Sequence, residues 1–535
     1  MSATSNDATR AGNISQFTIF KALNNAKNFA DFSTACVELS YYEDILSNTV
    51  TATATIVESG LTASPTVQTR SVLDSLPIRG GEPIELIIED NQTKPTQLKF
   101  SRRKNNELYV NRVRRVSPGT QKQVYNIDLC TREFLTNEQV RVVKRYDGNI
   151  SNNVKKILLQ DLGNNKAAGS PYGLRTRKHI EVDPTAENYN FIGNDRKPFN
   201  VCTWLASKSV PVFSKDGKSG YGKVAGYFFY ETYEGFKFKS IDKLLKVDPE
   251  TNPIRGRYVF TNTADLPPDY DGKILAVDIE RDIDLQQNLT MGAYSNTTLF
   301  FNPFNFLYTR DKLSIEQTSE ATENAGSQPI GNGIPKEFVT GPSRLMNRVL
   351  DVGTLPSGSS ALEQLKKWKS DPTSPTFKAA QILAQSAMRY NQLFYIKTRV
   401  TIAGDFSLRA GQVIYCDFPE LTVDHNKEKN KETGGHYLIV SVCHRITTED
   451  CYSSLTLVRD TMGRMPYTYH SGSGEKGGEP SREEGPYELT EEVVEVLAEE
   501  NSTYVHLDDT SIKGDYDYTP GSNVPYQGGI PLDGV

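Results

Sequence analysis

Four places in the chain carry residue types that could do chemistry. Gly217-Lys218-Ser219 has the ending of a phosphate-binding loop. That loop needs a glycine five residues before Gly217, and Val212 stands there, so the backbone cannot curl round a phosphate. The stretch reads as a polar hairpin loop. His436, Cys443, His444 and Cys451 crowd into one hairpin and invite a metal reading. In a strand, however, Cys443 and His444 point to opposite faces, so they read as packed or hydrogen-bonded residues rather than as a tetrahedral zinc site. Asp and Glu total 66, and a glycosidase needs only two of them, but no pair is placed by spacing. No convergent catalytic set emerges. The expectation is therefore no enzyme, no metal and no cofactor. The fourth place is basic: Arg102, Arg103, Lys104, Arg112, Arg114, Arg115 and Lys122. Arg112 and Arg114 share a strand face, which suits contact with an acidic neighbour in an assembly.

The elements that must position these residues come from a chain of 535 residues, long enough for three or four domains. Its formal net charge is -6, a poor basis for binding nucleic acid, which needs a basic surface. The 27 Tyr and 23 Phe against 2 Trp suit a β-rich protein. None of the six cysteines forms a CxxC pair, so reduced, mostly buried thiols are expected. Met1 to Asn13 has no apolar core, and no apolar run has the length of a membrane span. A cytosolic protein is the expectation.

Read in order, residues 1–30 look like a polar arm. From 31 to 135 the period is two. Val50, Ala52, Ala54 and Ile56 alternate with threonines, Ile84, Leu86 and Ile88 repeat the pattern, and Tyr125, Ile127 and Leu129 share a face. This is a first barrel-like domain. Residues 136–315 mix periods. Ile150, Val154, Ile157, Leu158 and Leu162 make a helical stripe with Ser151 as a candidate N-cap. Pro198 opens a short helix, and Tyr227 to Glu231 is an aromatic strand. Residues 316–376 read as a long loop or linker. Residues 377–465 hold a helix (Gln381–Tyr390) and then short strands. Phe394, Ile396, Val400 and Ile402 face one way, with Lys397, Arg399 and Thr401 opposite. Ile414, Cys416 and Phe418 share a face in the next strand. Tyr437 to Ile446 and Leu455 to Asp460 follow. Short strands with glycine punctuation predict a second small barrel. Residues 466–535 are a low-complexity tail. The predicted class is α+β, predominantly β: two small antiparallel β-barrel domains, a mixed α+β domain and an extended C-terminal tail.

Three motifs carry a resemblance. The order Leu408-Arg409-Ala410-Gly411-Gln412-Val413-Ile414, then Gly434-Gly435-His436-Tyr437-Leu438-Ile439, then Val458-Arg459-Asp460 resembles the last barrel of baseplate central hub proteins from contractile-tailed, T-even-type phages. These are related to the hub half of type VI secretion spikes. Tyr41-Tyr42-Glu43-Asp44-Ile45 with the Gly80-Gly81-Glu82 turn is similar to that family's first barrel. The order Pro198-Phe199, Trp204-Leu205, Tyr227 to Glu231, then Gly235 to Ile241 is similar to its middle domain. The likeness covers scattered motifs over about 31–465.

The resemblance implies a structural, non-catalytic hub in the virion's tail baseplate. It implies a homotrimer with two barrels per chain, so that three chains make a pseudo-sixfold ring. Such a ring adapts a threefold central spike to a sixfold tail tube. Implied partners are the trimeric spike, the tail tube or its initiator, and other baseplate proteins, with no membrane and no specific nucleic acid. The alternatives are a tube-initiator or adaptor of the same tail and, from another class, a tail-associated cell-wall hydrolase.

The resemblance does not reach the tail. Residues 490–500 nonetheless read as a short helix. Thr490 caps it, and Glu491 and Glu492 suit the positive end of its dipole. Leu489 and Val494 have staple spacing, and Val493, Val494 and Leu497 form an apolar stripe. A helix this short is marginal alone in water. Leu489, Val493, Val494 and Leu497 are therefore expected to contact a partner, as are Arg112 and Arg114.

Overall fold

The computed structural model describes residues 11–21, 29–59, 78–118, 122–159, 174–186, 188–212, 223–250, 252–260, 271–281, 285–303, 306–318, 322–326, 330–331, 333–354, 379–419, 433–461 and 502–505. Eight strands open the chain: β1 Asn13–Phe20, β2 Phe29–Asp31, β3 Cys36–Asp44, β4 Thr51–Glu58, β5 Pro83–Glu89, β6 Gln97–Phe100, β7 Leu108–Pro118 and β8 Gln123–Thr131. Their period-two residues turn inward to one core. Phe17, Ile19, Leu39, Tyr41, Ala52, Ala54, Ile56, Ile84, Leu86, Ile88, Tyr125, Ile127 and Leu129 are all buried there.

The expected polar arm is thus partly strand. Half of β1 is Asn, Ser, Gln and Thr, but Phe17 and Ile19 alternate on one face. That face closes the core while β1 pairs antiparallel with β5. Composition averaged over both faces hid the alternation.

The middle of the chain mixes helices and short strands. It contains α1 Arg132–Gln139, β9 Arg145–Tyr146, α2 Ile150–Leu159, β10 Ile180–Val182, β11 Phe191–Ile192, α3 Pro198–Ala206, β12 Tyr227–Thr232, β13 Gly235–Ser240 and α4 Ile241–Leu245. Strands β10, β13 and β12 form a small sheet, against whose Phe229, Phe236 and Phe238 pack the stripes of α2 and α3. Ser151 is not a cap. It lies inside the first turn of α2, where its hydroxyl accepts from the Thr185 N–H and the Thr185 hydroxyl accepts from the Ser151 N–H.

The second β region starts earlier than residue 377. It comprises β14 Arg257–Val259, β15 Ile274–Arg281, β19 Ile396–Ala403, β20 Val413–Asp417, β21 Gly435–Thr447 and β22 Cys451–Arg459. β14 and β15 come from the stretch expected to belong to the mixed domain. They cover the otherwise open edges of β20 and β19, where unpaired backbone groups would be a liability. Between them run α5 Leu285–Met291, β16 Ser295–Asn302, β17 Leu307–Ser314, α6 Ile315–Thr318, α7 Lys336–Thr340, β18 Arg344–Val349 and α8 Ala379–Leu393. The expected loop at 316–376 therefore holds regular structure. β18 pairs parallel with β16, and β17 pairs with β23 Ser502–Val505 from the tail.

The two β regions are one 14-stranded sheet, of order β15-β19-β22-β21-β3-β4-β8-β7-β5-β1-β2 with β6, β14 and β20 beside it. Each half curls round its own core. In the second half the path returns from β14 towards β15 through a single bridge, Val259 to Lys273. No closed barrel forms among the described residues; the two expected barrel regions are curled parts of one sheet there. The halves fuse where β21 pairs with β3, from Ser441–Asp44 to Thr447–Glu38.

Val400 tests the register of the second half. It is 1% exposed and lies between Val277 and Leu455 on neighbouring strands, while Arg399 beside it is exposed. Val400→Asp should destabilise the chain by roughly 3–5 kcal/mol, because an unpaired carboxylate enters an apolar core. Thermal melting reads this, and an unchanged melt would mean the register is wrong.

Candidate assembly surface and its buried joint

Residues that leave the two cores line the other side of the sheet, and their register carries straight across the fusion. One row runs Tyr452, Arg445, Ser40, Thr53, Asp128, Arg112, each directly opposite the next. A second runs Thr447, Glu38, Thr55, Asn126, Arg114. A third holds Thr401, Ser454, Cys443, Tyr42 and Thr51. The surface is rich in hydroxyls and carries charges of both signs. Its charges pair within the sheet: Arg445 meets Glu38 at 2.8 Å and Arg114 meets Asp128 at 2.7 Å. Arg112 and Arg114 thus share the exposed face expected of them. Arg114 is already committed to Asp128, and Arg112 extends the row outward.

A buried carboxylate joins the two halves and the mixed domain at one point. Glu43 of β3 accepts from the Tyr41 hydroxyl and the Tyr233 N–H, each at 2.8 Å, and from the Ala410 N–H at 3.1 Å. Tyr41 belongs to the first half, Tyr233 to the β12–β13 turn and Ala410 to the Leu-Arg-Ala-Gly turn of the second half. The Arg409 guanidinium stands 3.8 Å away. Arg409 is itself buried, donating to the carbonyls of Phe406 and Leu408 at 2.7 Å and lying 4.9 Å over the Tyr233 ring. Burial pushes the Glu43 carboxyl above its ordinary range, against the pull of Arg409 and the donors. Gly411 completes the turn with φ +83, and a Cβ there would stand 2.1 Å from the Tyr230 hydroxyl, so only glycine fits.

His444 sits in the same joint. Leu408 O can only accept, so Nε2 carries the proton and donates to it at 3.3 Å, while Nδ1 accepts from the Ser453 hydroxyl at 2.8 Å. The ring stacks on Tyr41 and packs against Phe406. Burial, with the Arg409 charge nearby, lowers its pKa to about 3, so His444 is neutral. Cys443, on the opposite face, is half-buried. The two do point apart, and among the described residues no group of three or more His, Cys, Asp or Glu is placed to hold a metal.

Two further buried ion clusters tie the mixed domain in place. Lys178 lies 2.5 Å from Glu231 and 3.3 Å from Glu133, and Glu231 also accepts from Val50 N–H and the Thr131 hydroxyl. Burial works against the Lys178 ammonium, but the two carboxylates outweigh it and hold its pKa above the ordinary range. Arg389 of α8 meets Asp460 at 2.9 Å and Asp242 of α4 at 3.4 Å. Burial pushes Asp242 up to about 6 despite Arg389. Sequence reasoning passed over all of these. The available signal was the arginine inside Leu408-Arg409-Ala410-Gly411, at a turn between two apolar strands. Gly217 to Ser219, and the tail residues Leu489, Val493, Val494 and Leu497, lie outside the described residues.

Arg409→Ala strands Glu43 without its cation and should cost about 3–5 kcal/mol. Combining it with Glu43→Gln should cost less than the sum of the two single changes. Additive denaturation midpoints would show that the pair is not coupled. His444 sets a pH dependence. Its folded pKa lies below the unfolded value near 6.5, so the stability it contributes is full above that value and is lost as pH falls from about 6.5 towards about 3. His444→Gln should flatten the denaturation profile across that window, and a wild-type slope in the variant would rule out the histidine as its cause.

No protein-family model and no curated protein sequence matches the chain. Among solved structures it is similar to the tail protein from Neisseria meningitidis MC58, at 10% identity over 84% of this chain and 97% of that one, with a TM-score of 0.47. It is similar to the 43 kDa tail protein of prophage MuSo2 from Shewanella oneidensis, at 7% identity over 83% and 99%, with a TM-score of 0.44. A third is a type VI secretion component of E. coli, at 11% identity over 81% and 76%, with a TM-score of 0.33; that protein is itself structurally similar to tail proteins of bacteriophage T4. The structural neighbours are thus phage tail proteins and spike-related secretion proteins, all at low sequence identity.

Proposed function

We propose that the chain is a structural hub subunit of a contractile tail's baseplate, which assembles as a homotrimer round a central channel. One observation carries the proposal: two curled β-halves are joined edge to edge, so that one polar surface runs unbroken across the fusion. Three such chains supply six similar curved segments. A ring of that kind offers threefold chemistry towards a trimeric spike and near-sixfold shape towards a tail tube. The hydroxyl-rich face with internally paired charges suits a wall along which other components pass without sticking. The motifs over 41–45, 198–241 and 408–460 support the same reading.

On this reading the chain works without catalysis, cofactor or metal. Its partners are two further copies of itself, the spike below, the tube or its initiator above, and neighbouring baseplate proteins. Its place is the virion's tail, after assembly in the host. No helix of the described residues is long and apolar enough to cross a membrane. The subunit contacts belong to the obligate class, burying more than about 2,000 Å².

Native mass spectrometry of the chain with its spike protein should give three copies per three spike chains, and electron microscopy of the tail should show one threefold ring with six β-halves. Six copies per tail would overturn the proposal. A monomer in isolation would not, because the spike can drive assembly by mass action.

A further inference from the structure

The four-stranded sheet β18-β16-β17-β23 has two unlike faces. On one, Phe300 and Leu313 pack with Ala380, Leu383 and Ala384 of α8. On the other, Thr297 is buried and the remaining residues are half-buried or exposed. The rows of this face read Leu345, Thr297, Lys312; then Asn347, Leu299, Arg310; then Val349, Phe301, Tyr308. Leu345 is 71% exposed, Val349 64%, and Phe306 in the adjoining turn 65%. The Phe301 ring lies tilted against those of Phe306, at 6.2 Å, and Tyr308, at 5.1 Å. These residues make one apolar patch of a kind that marks a contact surface. Arg310 and Lys312 stand exposed on the same face, and β16, β17 and β18 place no acidic residue there.

The occupant follows from where the tail returns to the fold. β23 runs antiparallel to β17, with Ser502 opposite Asp311. The chain therefore enters the sheet beside Lys312, and one residue separates Ser502 from Glu500. The segment just before it carries the apolar stripe Leu489, Val493, Val494 and Leu497, and five glutamates between 491 and 500. The face with Leu345 and Val349 is apolar and cationic; the segment is apolar and anionic. Their dimensions agree as well. As a helix, 490–500 would be about 16 Å long, and four strands at their usual spacing span about 14 Å. So short a connection holds the segment beside the face of its own chain.

We propose that residues 489–500 dock on this face of their own chain, with the apolar stripe against Leu345, Val349 and Phe301 and the glutamates towards Arg310 and Lys312. Docking supplies the apolar partner that so short a helix needs in order to persist. The inference does not depend on the hub reading, since it concerns one isolated chain.

Carbene footprinting of the purified full chain, read by mass spectrometry, tests it against the double variant Val493→Asp/Leu497→Asp. The variant leaves β23 and both cores untouched, and an unchanged melting temperature of the cores checks its fold. Leu345, Val349 and Phe306 should label weakly in the full chain and severalfold more in the variant, at every protein concentration. Equal labelling of the two proteins would overturn the proposal. So would protection that disappears on dilution, because the occupant would then be a second copy. Protection appearing only when spike protein is added would overturn it too, assigning the face to that partner.

Discussion

One buried carboxylate sets the geometry of this molecule. Glu43 has no access to water and meets donors from three parts of the chain that are far apart in sequence. A desolvated carboxylate is costly unless its acceptor sites are filled. The β12–β13 turn and the Leu-Arg-Ala-Gly turn must therefore both reach β3, and reach it together. Displacing either leaves an acceptor short of a donor and Arg409 short of a counter-charge. Burying such a pair adds little net stability over an apolar joint; its effect is to make one arrangement far better than its neighbours.

The consequence is a continuous sheet. β-halves with separate cores can pair at their edges in several registers, and a slip of one residue turns every side chain to the other face. Here β21 and β3 meet next to Glu43, so the carboxylate specifies the register that keeps hydroxyls outside. Pairing β21 with β3 also removes two open edges at once. The same economy explains why β14 and β15 cross from the middle of the chain into the second half.

The other buried ion clusters follow the same logic. Glu231 bridges the mixed domain to the start of β4 and the end of β8, and Arg389 bridges α8 to α4 and to the end of β22. These two clusters lie at junctions of units, not inside one core. Apolar packing is non-directional, so it holds the units together without fixing their relative turn; directed charge pairs and hydrogen bonds do that.

The sequence by itself determined what depends on local alternation. The strands at Val50 to Ile56, Ile84 to Ile88, Ile396 to Ile402 and Tyr437 to Ile446, the opposed faces of Cys443 and His444, and the shared face of Arg112 and Arg114 are all legible from a period of two, because each side chain's direction is fixed by its own backbone. The tertiary structure alone decided whatever depends on partners distant in the chain. β1 was masked by its polar alternate residues, β15 by its distance from β19, and β18 by its lack of any apolar repeat. The fusion of two expected barrels into one sheet has no local signature, since the edge groups that pair are backbone groups common to every residue. Glu43 and Arg409 are ordinary surface-type residues until folding removes their water, and it is that removal, not their identity, that makes them the joint.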